Sequence, residues 1–146
     1  MQSWLKLVGS ADKPITDSPF YGNYREEYIG FRKNNVPGIR SGDHLFLYAP
    51  GGSRRIFALV EAITDPERDS KYNPNEQGSC RWLIYVRYLM NLPVASGVLI
   101  DEANSERRDL VLSIRRQSHI KLLFDEYEQI YKKLEVAAGG TTENGI

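Results

Sequence analysis

The chain has 146 residues, enough for one domain with a real hydrophobic core. Its 19 Lys and Arg balance 19 Asp and Glu, so the formal net charge is zero, which argues against a generic polycation-type nucleic-acid binder but not against a local basic patch. The apolar runs are far too short to span a bilayer, "MQSWLKLVG" lacks the zones of a signal peptide, and a single cysteine, Cys80, excludes an internal disulfide. Together these features predict a cytoplasmic protein.

In chain order, Ser3 to Val8 reads as a first strand, and "GSADKPITDSPFY" (9–21) as a turn-rich connection. Asn23 with Glu26 three residues on has the spacing of a capping box, and Tyr24, Tyr28 and Phe31 would share one face of the helix that follows. "NNVPGIRSGD" ends that helix with Asn, Pro and Gly. His44 to Ala49 and Arg55 to Thr64 form a hairpin around "PGGS". In the first of these strands Leu45, Leu47 and Ala49 alternate with His44, Phe46 and Tyr48; in the second Phe57, Leu59 and Ile63 alternate with Ile56, Ala58, Val60 and Ala62. Both faces are apolar, which fits a barrel strand with helices packed outside it.

Asp65 to Ser79 is a long polar loop of the kind that is usually functional or mobile. Trp82 to Met90 is the next strand, Leu99 to Leu112 holds a short helix, and Ser113 to Leu122 makes a further strand. Phe124, Tyr127, Ile130, Tyr131 and Leu134 mark the inner stripe of a C-terminal helix, with early acids and late lysines that complement its dipole. The order β, α, β-hairpin, loop, β, short α, β, α predicts an α+β chain. Its sheet is a small, strongly curved β-barrel of about five or six strands with helices on the outside. Residues 1–135 would form the domain, and 136–146 a tail or linker.

Familiar catalytic patterns are missing. "PGGSRR" lacks the spacing and Lys of a phosphate-binding loop, and its glycines suit a hairpin turn. His44 and His119 have no partners at metal-ligand spacing, so a structural role is expected for each and no metal or cofactor is expected. No nucleophile elbow is present, and Cys80 has no base nearby in sequence. The residues therefore point to a non-catalytic protein.

"RSGDHLFLY", "IFALVEAITDP" and "RWLIYVRYL" resemble the signature segments of EVE domains, members of the PUA-like superfamily. "SWLKLVG" is similar to their opening strand, "GNYREEYIGFRK" to their first helix, and "SIRRQSHIKLLFDEYEQIYKKL" to their last strand and helix. The resemblance covers most of Ser3 to Leu134; each motif is short, and their order carries the specificity. It implies a pocket between barrel and loops that takes a base turned out of its stack. YTH domains of the same superfamily read methylated adenine in RNA, and EVE domains are thought to read modified bases, often in DNA and fused to restriction machinery. A flipped base needs flat apolar walls, polar groups at its edge and cations for the flanking phosphates.

On that resemblance Trp82 is the first candidate wall, against an equal expectation that it caps the barrel core. Tyr24 and its neighbour Tyr21 lie where an aromatic pocket residue is expected, although Tyr24 also fits a buried helix stripe. Asn23 is a base-edge candidate as well as a helix cap. Ser10 is the remnant of a polar pair that many relatives carry after the first strand, and the final helix lacks their Thr cap. Arg115, Arg116 and Gln117 match a polar stretch that would contact phosphate or a base edge. Arg32, Lys33 and Arg40 form a second basic cluster; one of the two should face nucleic acid and the other water.

The expected function is thus a reader of methylated or hydroxymethylated cytosine, or of N6-methyladenine, in DNA or RNA. An associated nuclease or motor would be its effector. Two alternatives stay open beside a protein-interaction domain: an RNA-binding PUA-like module indifferent to modification, and a small ASCH-like hydrolase of modified nucleosides. The hydrolase would draw on Lys6 and Glu61, the only candidates on strands.

Overall fold

A computed structural model of the chain describes residues 1–8, 26–50, 54–76, 79–104, 106, 108–115 and 117–139. Their strands are β1 (Ser3–Leu7), β2 (Tyr28–Phe31), β3 (His44–Ala49), β4 (Arg55–Ala62), β5 (Glu67–Arg68), β6 (Trp82–Asn91), β7 (Val98–Leu99) and β8 (His119–Lys121). Helices α1 (Leu110–Ile114) and α2 (Phe124–Ala137) follow or flank the last of them, with 3-10 turns at Val94–Ser96 and Ile100–Ala103. No described helix is long and apolar enough to cross a membrane.

The strands form one curled sheet in the order β2-β6-β4-β3-β1-β8, with β5 paired to β6 and β7 to β4. Only β1 and β3 run parallel; the other ladders are antiparallel. "SGD" sets the start of β3. Gly42 takes φ 93°, a region that favours glycine, and turns the chain so that the Asp43 carboxylate becomes a hub. It accepts from the backbone N–H and side-chain amide of Gln2, the Trp4 indole N–H at 3.0 Å and the Arg40 backbone N–H. Two strands far apart in sequence are pinned together at their beginnings.

The doubly apolar hairpin has two cores to fill. Trp4, Ile29, Phe31, Leu45, Leu47, Phe57, Val60 and Ile84 pack inside the curl. On the outer side, Leu5, Phe46, Ile56, Leu59 and Ile120 pack against Leu110 and Ile114 of α1 and Ile130 and Leu134 of α2. Strict alternation puts Phe57 and Leu59 on one face, and the structure corrects this. The ladder slips between Leu47 and Tyr48, whose partners are Ala58 and Ile56. Phe57 is therefore the extra residue of a bulge and turns inward with Val60 and Ala62, while Leu59 turns out.

Two further expectations are overturned. Tyr28 to Phe31 is not helical but a strand on β6, with Tyr28 opposite Tyr85 and Phe31 opposite Trp82. Ile29 and Phe31 are buried while Tyr28 is exposed, a period of two. Pairing along β6 outweighs the local helical pattern; the proposed Asn23 cap itself lies outside the described residues. The strand expected over Ser113 to Leu122 shrinks to His119–Lys121, because Asp109 caps α1 by accepting from the N–H groups of Val111 and Leu112. The C-terminal helix stands as read, running from Phe124 to Ala137.

Candidate functional site

The curl brings the two ends of the sheet path together. Phe31 of β2 meets the His119 ring of β8 edge-on, with centroids 5.1 Å apart. No described backbone ladder joins these strands, so side chains form the seam. Odd and even positions of β1 face opposite ways: Leu5 joins the outer core, and Trp4 and Val8 the inner one. Lys6 lies between the latter two in sequence, so its side chain enters the curl at the seam.

Lys6 is only 6% exposed. Its ammonium donates to the Leu7 carbonyl at 2.8 Å and sits 4.8 Å from the centre of the Phe31 ring. Among the described residues no carboxylate pairs with it. Burial is the main reason its pKa falls to about 8; Cys80 opposes the shift, and Arg32 and Lys33 add to it. His119 stands directly opposite Lys6 on the ladder, tilted against Trp4 at 5.5 Å. Burial, then the charges of Lys6 and Lys33, push its imidazole down to about 4, so it is neutral at pH 7. Its Nδ1 shares a 2.7 Å hydrogen bond with the Ser118 hydroxyl. A buried charge without a counter-ion is costly, and such groups cluster at functional sites.

Trp82 continues the seam. It faces Phe31 across β2–β6 and Arg68 across β5–β6, and the Arg68 guanidinium lies 5.3 Å from its ring. The indole N–H donates to the Asn34 carbonyl, and the half-buried ring packs against the inner core. Trp82 is thus both core edge and rim. The loop before it adds a second cation–aromatic pair, Arg81 over Tyr72 at 4.5 Å. Gly30 packs against Cys80: a Cβ there would come within 2.5 Å of the sulfur, so a larger residue would make the Cys80 side chain turn away.

The predicted residues fall in different places. Arg32 and Lys33 are exposed just after β2, and their charges reach Lys6. Arg40, expected beside them, turns its guanidinium to the Ile39 carbonyl at 3.0 Å and belongs to the turn before β3. Arg115 caps α1, and the Gln117 amide donates to the Ser113 carbonyl; both are exposed on the connection that enters β8 next to Leu7. Ser10, Tyr21, Asn23, Tyr24 and Arg116 lie outside the described residues. The Lys6–Glu61 pair of the hydrolase alternative is not assembled. Glu61 is on the outer side of β4, in an ion pair with Arg87, while Lys6 points into the curl. Sequence reading missed Phe31, assigned to a helix, and His119, assigned to structure. The available signal was Lys6 itself, a charge at a core-facing position of an otherwise apolar strand.

No protein-family model matches the chain, and no curated protein matches it. Among solved structures it is similar to protein Atu2648 from Agrobacterium tumefaciens, with 21% identity and a TM-score of 0.61 over 98% of this chain and 97% of that one. Rpa0253 from Rhodopseudomonas palustris gives 16% identity and 0.59, covering 93% and 94%. The Mmi1 YTH domain, solved in complex with RNA, gives 9% identity and 0.56, covering 97% and 84%. The curled mixed sheet with helices along its outer face is a small α+β barrel of the PUA-like fold.

Proposed function

We propose that this chain is an EVE-type module that reads a modified nucleobase, without catalysis, by accepting a flipped base at the β2–β8 seam. The observation that carries the reading is Lys6: a buried ammonium with no described carboxylate partner, at an aromatic-lined seam. A base edge offers carbonyl and ring-nitrogen acceptors, and an acceptor there would satisfy the protons that Lys6 does not spend on Leu7. Neutral His119 would add one donor or acceptor. Trp82, half-buried at the rim, supplies a flat face, the fully buried Phe31 backs the Lys6 ammonium from the core, and Arg32, Lys33 and Arg68 supply cations for flanking phosphates. The fold shared with a YTH domain crystallised with RNA supports nucleic acid as the partner class. Methylated or hydroxymethylated cytosine and N6-methyladenine are the candidate bases, and an effector such as a nuclease or motor would act on what is read.

The test is fluorescence anisotropy at fixed, near-physiological salt. The panel is one oligonucleotide sequence as single- and double-stranded DNA and RNA, plain or modified. A preference for one modification that disappears in Trp82→Ala and Lys6→Met, with both variants folded, is the expected result. Equal binding of plain and modified strands would leave a general nucleic-acid module. No binding at all would sink the proposal.

A further inference from the structure

A cavity lies on the side of the sheet away from the seam, between β6 and α2, with a volume of about 490 Å³. That is within the range of small-molecule sites. One wall is an aromatic ladder: Phe46 touches Tyr127 at 5.3 Å, and Tyr127 stacks on Tyr131 at 6.0 Å with 27° between the rings. The other wall exists because of a bulge. The β4–β6 register slips between Leu59–Met90 and Val60–Tyr88, which leaves Leu89 unpaired. Leu89 and Met90, although consecutive, both line the cavity. A regular strand would send one of them to the other face, and bulges that re-aim side chains are common beside functional sites. Leu89 stays 41% exposed, an apolar wall in contact with water.

The polar groups are few and balanced. His44 Nδ1 and the Tyr127 hydroxyl share a 2.8 Å hydrogen bond, a pair able to donate or accept at the rim. Glu128 and Lys132, four residues apart on α2, contribute one charge of each sign. The cavity thus offers a flat aromatic face, a soft aliphatic and thioether face, and a hydrogen-bonding edge without net charge.

We propose that this cavity is a second ligand site, taking an uncharged planar heteroaromatic molecule of nucleobase or nucleoside size stacked on Tyr131. The site is independent of the β2–β8 seam. The experiment titrates the full chain with cytidine, adenosine and cytidine monophosphate, following Met90 and tyrosine ring signals by NMR. Binding of the nucleosides should shift the Met90 methyl and weaken about tenfold or more in Tyr131→Ala, the usual effect of losing a stacking partner. Leu89→Lys, at an exposed position and so independent of any folding defect in the first variant, should weaken it as well. Trp82→Ala should retain it. No shift up to ~1 mM nucleoside, the bottom of the useful affinity range, would overturn the proposal. So would tighter binding of the monophosphate, or binding lost in Trp82→Ala and kept in Tyr131→Ala.

Discussion

Phe31 and His119 touch at 5.1 Å although they belong to the first and last strands of the sheet path and lie 88 residues apart (119 − 31). Their contact brings Lys6, directly opposite His119, against an aromatic ring. The seam therefore combines a buried charge, a neutral imidazole and aromatic faces, and its energetics can be tested without knowing the ligand.

Lys6→Met should make the protein more stable while removing the proposed base binding. An unpaired buried charge is costly, and even buried ion pairs replaced by apolar side chains are often neutral or more stable by about 1–4 kcal/mol. Urea denaturation of both proteins beside the oligonucleotide titration measures the two effects together. A less stable Lys6→Met protein would mean that the ammonium is already satisfied in the free state.

Acid should weaken the fold before carboxylates titrate. His119 has a folded pKa of about 4 against an ordinary 6.5, so between these values the unfolded chain binds a proton that the folded one refuses. Its stabilising effect is complete above pH 6.5, falls as pH drops through that window, and levels off below about 4. His44 is also lowered, mainly by burial, and adds to the same slope. Denaturation midpoints from pH 7.5 to 4 should fall, with a shallower slope in His119→Gln.

Lys6 adds a signature at the alkaline end. Its folded pKa of about 8 lies below the ordinary 10.5, and an acceptor bound at the ammonium would raise it. Binding near pH 8.5 should therefore take up protons. Calorimetry in two buffers of different ionisation enthalpy reads that uptake directly, and it should vanish near pH 6.5, where the Lys6 ammonium is already protonated before binding.

Glu126 is 1% exposed and holds Arg108 through two hydrogen bonds of 2.7 and 2.8 Å, while also accepting from the Leu123 backbone N–H. The same guanidinium donates to the Lys121 carbonyl, so one pair ties the start of α2 to the end of β8. Arg108→Ala leaves the buried carboxylate without its counter-ion, held by the Leu123 N–H, and should cost about 3–5 kcal/mol in denaturant unfolding. A loss within 0.5 kcal/mol, the usual range for a surface change, would show that solvent replaces the arginine.

Gly97 should not tolerate alanine. A Cβ there would come within 2.4 Å of the Ile56 carbonyl oxygen, which belongs to the backbone of a central strand and cannot swing away. A destabilisation of about 1–3 kcal/mol is expected by thermal or urea denaturation.

Much of the architecture was legible in the chain. His44–Ala49 follows from alternation, and α2 follows from a stripe at helical spacing. The doubly apolar hairpin correctly implied a core on each side. The site was less legible. Lys6 appeared only as a weak catalytic candidate, because a lone charge in a strand does not say whether it meets solvent, an acid or an aromatic ring. Phe31 was hidden by Tyr24 and Tyr28, whose spacing fits a helix face as well as it fits chance.

What the sequence alone determined is local: hydrophobic period, the glycine that turns the chain into β3, the apolar stripe of the last helix, and a neutral net charge. Tertiary structure decided everything that depends on partners far along the chain. Residues 28–31 became a strand because β6 offered them a ladder. Phe57 and Leu59 parted because a bulge adds a residue to β4. Lys6 became a candidate site because curling the sheet closed Phe31 and His119 around it. Backbone pairing and burial are cooperative over the whole sheet, so no window of the sequence contains them.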